Sequence, residues 1–348
     1  VRRMSTRTRA LKAAGVATGV ALGAAGVAIG VERTITRRLR HRPDPDAGRL
    51  GPLAFDEARR LTSHDGGSIY TVSRGPHGAP TIVFLHGVTI DSRVWVKQFA
   101  ALPDAGVRVV AFDHRGHGQS VLGASGHSIE NLATDVRTVL EGLDLTDVVL
   151  VGHSMGGVAV EAFAIHHPGI ARSRVRGLVL LSTFARTPLS FLRPFRGAAE
   201  RVAGWVDLAA LMRRPELGTA LTRIGFGREP RASHVELTRQ MVAACPPETV
   251  RNAILPLVGL DLVDRLEEID RPTLVIGGTA DVLAPALESR RIARHIRGAR
   301  LELIEHAGHH IMLERAAEFD ALLLGFSRDL ELGQHADPSR AGRSAPGE

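Results

Sequence analysis

The sequence predicts an α/β fold in which a largely parallel sheet is covered by helices on both faces, with a helical insertion late in the chain. Three observations predict it. Short, almost continuous apolar runs alternate with longer stretches of helical period, as expected for strands buried on both faces. A length of 348 residues with 44% hydrophobic side chains suits one large domain carrying an insertion. A Gly-x-Ser-x-Gly run stands where one apolar strand meets a helix.

Residues 1–45 form a basic N-terminal segment around an uncharged stretch, 13–31 (AAGVATGVALGAAGVAIGV), with five basic residues on each flank. That length suffices to cross a hydrocarbon core. Three readings stay open: an uncleaved membrane anchor, a cleaved export signal with small residues around Ala24–Gly30, or a soluble tail. The first two favour a cell-membrane or exported location over a cytoplasmic one. Residues 41–52 (HRPDPDAGRLGP) read as a linker, rich in Pro, Gly and charge. Next, 58–62 and 68–73 bracket Asp65-Gly66-Gly67, the signature of a leading antiparallel hairpin. Apolar strands are expected at 81–85, 107–112, 148–152, 178–182, 273–277 and 301–304, and helices at about 93–102, 130–142, 155–167, 286–297 and 314–330. The gap from 183 to 272 is too long for an ordinary connection, and its helix-like segments 205–212 and 235–244 predict a cap over the sheet. The expected division is a domain over 46–332, a cap insertion over about 183–265 and a disordered tail over 333–348.

Charge and cysteine usage exclude several classes. The net charge of +7 comes from the N-terminal arm: residues 1–42 hold ten basic side chains and one acid, leaving 34 basic and 36 acidic residues in the body. A slightly acidic body offers no footprint for nucleic acid. The single cysteine, Cys245, rules out an internal disulfide and any multi-cysteine metal site, and a buried, inert thiol is expected.

The chemistry centres on Gly152-His153-Ser154-Met155-Gly156-Gly157. A sharp strand-to-helix turn strains the serine backbone and requires neighbours without side chains. The hydroxyl then stands at a helix N-terminus, where the dipole favours negative charge. A serine needs a base to take its proton, and the acid and histidine serving such a turn follow it in the chain. Asp281 follows the strand 273–277 and His309 follows 301–304, so both emerge at the sheet edge that carries Ser154. Asp281 could also cap the following helix. Asp261 and Asp264 are weaker candidates for the acid, and His310 is the rival base. The oxyanion donors are assigned to the backbone N–H groups of Met155 and Val88. His86 is read as a loop-fixing hydrogen-bonder, and no metal or cofactor is required.

The segments Leu85-His86-Gly87, Asp113-His114-Arg115-Gly116-His117-Gly118-Gln119-Ser120, Gly152 to Gly157, Asp281 and Gly308-His309 resemble the α/β-hydrolase superfamily, in its order, over about residues 55–330. The resemblance implies an eight-stranded sheet with a helical cap between the sixth and seventh strands. It also implies an architectural rather than catalytic role for Asp113 to Ser120. Dehalogenases and epoxide hydrolases of the superfamily carry an aspartate at the nucleophile position; this chain carries Ser154. Cleavage of a carboxylic ester or related acyl bond through an acyl-enzyme is therefore expected, on a small-molecule acyl ester with an apolar, lipid-like part. Two alternatives stand beside it. One is a perhydrolase, haloperoxidase-like enzyme or acyltransferase on the same triad; the other is a non-catalytic membrane-tethered binding protein with a hydrolase fold.

Overall fold

In the computed structural model, β1 (Glu57–Thr62) and β2 (Ser68–Arg74) form the expected antiparallel hairpin, turning through Gly66 at φ 81°. The description covers residues 34, 36–187 and 208–333. The stretch 13–31, the insertion residues 188–207 and the tail 334–348 lie outside the described residues, and with them the expectations of an anchor or signal and of a disordered end.

Six further strands are β3 (Thr81–Leu85), β4 (Arg108–Phe112), β5 (Val148–His153), β6 (Val175–Leu181), β7 (Thr273–Gly278) and β8 (Arg300–Ile304). All eight join one sheet in the order β1-β2-β4-β3-β5-β6-β7-β8, parallel from β4 onward. The chain runs from β3 outward to β4, then returns to place β5 on the other side of β3. The C-terminal ends of β3 and β5 therefore flank a topological switch point, where ligands bind in open parallel sheets.

Both faces of the sheet are apolar, which explains the unbroken hydrophobic runs. Val83, Leu85, Leu150, Leu178, Leu180 and Val275 pack on one side against Val136, Val139, Val158, Ala162 and Ile292. These come from the helices Ile129–Gly142, Met155–His166 and Ala286–His295. Ile82, Phe84, Val149, Val151, Val179 and Ile276 face the other way, onto Trp95, Phe99, Phe319, Leu323 and Phe326. Ser128 starts the first of those helices by accepting the Asn131 N–H at 3.1 Å.

Between β6 and β7 the helices Leu208–Arg213, Pro215–Arg223, Ala232–Ala244 and Pro247–Val258 lie above the strand ends. Two of them, and Pro168–Arg174 in the body, open on a proline in the first turn. Proline's fixed φ and missing N–H suit the first turn of a helix.

The stretch 41–52 differs from a free linker. Asp46 accepts from Lys97 Nζ at 2.6 Å, from His234 Nε2 at 2.8 Å and from Arg231, while Asp44 accepts the Ser233 N–H at 2.7 Å. Leu39 and Leu53 on either side are buried in the core. The carboxylates of Asp44 and Asp46 strap this segment to the insertion helix Ala232–Ala244 and to the body.

Candidate active site

Ser154 follows β5 directly, at φ 53° and ψ −117°, as the N-cap of the helix Met155–His166. A left-handed φ on a residue with a side chain is strained and persists only where its surroundings hold it. Here the Ser154 N–H donates to Leu181 O at 3.0 Å and Thr183 Oγ1 donates to Ser154 O at 2.7 Å. The flanking glycines allow the close approach. A Cβ on Gly152 would sit 2.3 Å from Gly156 O, and one on Gly156 would sit 2.3 Å from Leu85 O. The helix can thus start only if both positions lack side chains.

His309 and Asp281 arrive as the strand order predicts. Asp281 Oδ2 accepts from His309 Nδ1 at 2.9 Å, with the Asp281 side chain fully buried. Its Oδ1 accepts the N–H groups of Leu283 and Ala284 at 2.8 and 2.9 Å. The carboxylate therefore both orients the imidazole and organises the loop before the next helix. With its proton held on Nδ1, His309 leaves Nε2 as the acceptor. Ser154 and His309 line one cavity of about 540 Å³.

The rival candidates have different surroundings. His310 also lines the cavity, but its Nδ1 is buried without a partner, and burial drives its pKa well below the usual value. Among the described residues no carboxylate bonds its ring. Asp261 pairs with Arg186 on the surface, and Asp264 is exposed; neither lines the cavity. Cys245 is buried, and burial pushes its thiol up to about 12, as expected of an inert cysteine.

The two oxyanion candidates lie at the switch point. Val88 lines the cavity, and Met155 opens the helix after Ser154. Among the described residues, neither backbone N–H is used in a hydrogen bond within the protein. The Val88 loop is pinned from below. His86 donates from Nδ1 to Gly87 O at 2.7 Å and accepts the His114 N–H on Nε2 at 2.9 Å. His114 Nε2 donates back to His86 O at 3.0 Å, and His117 Nε2 accepts the Thr89 N–H at 3.3 Å. Burial lowers the pKa of all three imidazoles, so they act as neutral connectors. Asp113 accepts the Ser92 and Gln119 N–H groups, and buried Arg115 is paired with Asp135 and Asp65. The segment Asp113 to Ser120 thus holds the architecture around the site.

Two positioning groups were missed in the sequence. The carboxylate of Glu314 accepts the N–H groups of Gly227 at 2.7 Å, Gly308 at 3.1 Å and His310 at 3.2 Å. It clamps the His309 loop to the insertion. Burial raises its pKa against the pull of those three donors. His153 Nε2 donates to His309 O at 3.0 Å, tying the residue before the serine to the histidine itself. Neither link carries a recognisable motif: His153 meets a carbonyl 156 residues away, and Glu314 joins the nearby Gly308 and His310 N–H groups to Gly227, 87 residues before it.

A serine on a strained turn, an imidazole oriented by a buried carboxylate and unused N–H groups above a parallel sheet define the site of an α/β serine hydrolase. The chain belongs to the α/β-hydrolase family: the family model for the alpha/beta hydrolase fold matches residues 80–316. It is 30% identical over 259 residues to a non-heme chloroperoxidase of Kitasatospora aureofaciens, covering 72% of this chain and 92% of the relative. It is 27% identical over 271 residues to 3-oxoadipate enol-lactonase 1 of Acinetobacter baylyi, covering 78% and 97%. Among solved structures, Est816, described as an N-acyl homoserine lactone degrading enzyme, aligns at TM-score 0.64 with 30% identity, over 77% of this chain and 100% of its own. An esterase of Exiguobacterium antarcticum shares the fold at TM-score 0.69, with 23% identity over 78% and 100%.

Proposed function

We propose that this chain hydrolyses an uncharged carboxylic ester with an apolar acyl or alcohol part, through an acyl-enzyme on Ser154. The observation carrying this reading is the lining of the cavity. Around Ser154 and His309 stand Val88, Ile90, Phe184, Met212, Leu257 and similar side chains, and among the described residues no Asp, Glu, Lys or Arg. A substrate carboxylate or ammonium would lose its hydration there without gaining a partner. The volume of about 540 Å³ suits a medium-sized ligand.

In the proposed mechanism Ser154 Oγ attacks the acyl carbon while His309 Nε2 takes its proton. Asp281 holds the imidazole tautomer and stabilises the imidazolium, and the N–H groups of Met155 and Val88 receive the oxyanion. His309 then protonates the leaving alkoxide. Water, deprotonated by the same imidazole, attacks the acyl carbon and releases the acid and the free serine. No metal or cofactor enters this scheme. The uncharged stretch 13–31 supports tethering of the chain to a membrane; among the described residues no helix is long and apolar enough to cross one.

The test uses the full chain with a fluorophosphonate probe and p-nitrophenyl esters from acetate to octanoate. Labelling is expected to vanish in Ser154→Ala, and kcat/KM to rise from acetate to the longer esters. Labelling that persists in the variant, or a preference for acetate, overturns the reading. The chloroperoxidase relative favours one second reading, perhydrolysis. There hydrogen peroxide replaces water in the second step and the acyl group leaves as a peracid, a product separable by direct assay. A purely binding role predicts no probe labelling at all.

A further inference from the structure

Large exposed hydrophobic residues are few among the described residues: Phe55, Val121, Ile224, Val282, Leu283, Leu287 and Leu332. Four of the seven are at one place. Ile224, Val282 and Leu283 line the mouth of the Ser154 cavity while being 53%, 60% and 49% exposed. Leu287, 58% exposed, stands in the first turn of the helix Ala286–His295, four residues after Leu283 in the chain. The two segments touch, since a Cβ built on Gly225 would lie 3.5 Å from Leu283 Cδ1. Contiguous apolar patches on a protein surface mark an interaction site more often than chance exposure does.

Cations flank this rim. Arg223 precedes Ile224 and donates to Phe226 O at 2.8 Å; burial and the nearby Arg42 lower its pKa. Arg42 donates to Arg228 O at 3.0 Å, and with Arg37, Arg38 and His41 it surrounds a shallow recess. Glu216 and Glu229, the acids on these segments, lie against Arg40 and Arg315. The chain enters the described part at Thr34, beside that recess, and the residues before it include the uncharged 13–31.

We propose that the cavity rim formed by Ile224, Val282, Leu283 and Leu287, with the basic residues of 37–42, docks on the surface of an anionic phospholipid bilayer. The apolar side chains enter the headgroup region, the arginines meet lipid phosphates, and the mouth above Ser154 faces the lipid. Basic residues beside an apolar face are the pattern that holds proteins at anionic membranes. Entry of substrate from the lipid phase rests on the ester-hydrolase reading; the docking itself does not.

The experiment exploits the inert Cys245, which leaves introduced cysteines as the reactive thiols. Full-length Val282→Cys and Leu287→Cys proteins are labelled with a polarity-sensitive fluorophore. Leu332→Cys serves as control, next to a groove at the opposite end of the sheet lined by Val175 and Pro272. On vesicles of phosphatidylcholine with phosphatidylglycerol, the labels at 282 and 287 are expected to shift to the blue and the label at 332 to stay unchanged. Replacing Arg37 and Arg38 by Gln is expected to weaken this partition by about an order of magnitude. Three results overturn the proposal. One is vesicle capture with no shift at 282 and 287, or with an equal shift at 332. Another is an equal shift on phosphatidylcholine alone. The third is blue emission before vesicles are added, which assigns the patch to residues 188–207 or, where dilution reverses it, to a second copy of the chain. The same labels in a Ser154→Ala background read docking without turnover, so failure of the ester reading and failure of docking remain distinguishable.

Discussion

Asp281 divides its two oxygens between two tasks, and a substitution can separate them. Oδ1 organises the backbone of Leu283 and Ala284, and Oδ2 faces His309 Nδ1. Asp281→Asn retains an acceptor for the loop but presents an amide N–H to the imidazole, forcing the proton onto the nitrogen that should face the serine. The expected result is a fall in kcat of about three to four orders of magnitude with little change in thermal midpoint. Steady-state kinetics beside a thermal melt would show it. His310→Asn is the comparison: with no carboxylate behind it, that ring should cost kcat less than about tenfold. Glu314 acts at one remove, through the backbone of the His309 loop. Glu314→Gln replaces one accepting oxygen by a donor among three N–H groups, and a loss of about 1–3 kcal/mol in stability is expected. Because the variant loosens the imidazole and leaves the cavity lining intact, kcat should fall more than KM rises. A KM change alone would place Glu314 outside the positioning role.

At the level of elements, the sequence was most legible where burial on two faces left no choice of pattern. β3 to β7 lie within three residues of the apolar runs because strands covered on both sides need nearly unbroken Val, Leu and Ile, whereas the edge strand β8 keeps the partly exposed Arg300 and Glu302. The elbow was legible for a related reason: backbone within 2.3 Å of a would-be Cβ leaves only glycine at 152 and 156. What stayed hidden are contacts made by polar groups across long separations. The strap is the clearest case, since Asp44 and Asp46 read as linker charge until Ser233, His234 and Lys97 are seen beside them. Burial would raise the Asp46 carboxyl, but Lys97, His234 and Arg231 together hold it below the usual range. Asp46→Ala should therefore leave a buried imidazole and a half-buried ammonium without their shared partner. A stability loss of about 1–3 kcal/mol is expected in denaturant titration. Hydrolysis of a small soluble ester should stay near the wild-type rate, because the strap touches none of Ser154, Asp281 or His309. An unchanged denaturation midpoint would mean that the strap rests on the insertion without holding it.

Across the whole molecule, buried titratable groups set a pH profile with opposing slopes. His114, His153 and His310 are buried and lowered well below their usual pKa, chiefly by burial. Below about pH 6.5 the unfolded chain takes up protons that these sites refuse, so stability falls with acid. Glu161 works in the other direction. It sits mid-way along the helix that begins at Met155, both carboxyl oxygens buried without a partner, and burial with the nearby Glu288 pushes it up to about 8. Its folded-state pKa lies above its unfolded value, so it keeps a proton that the unfolded chain releases above about pH 4.5. Stability from that proton is complete below that pH and drains away until the folded group ionises near 8. The two slopes cross near neutrality, where stability should be greatest. Glu161→Gln keeps the shape and removes the titration. Its stability relative to wild type should rise by about 1.4 kcal/mol per pH unit between 6 and 8, then level off. Denaturant titrations of both proteins from pH 6 to 9 would show the divergence. Parallel profiles would mean that Glu161 finds a hydrogen-bonding partner, such as internal water, that keeps its carboxylate charged in the fold.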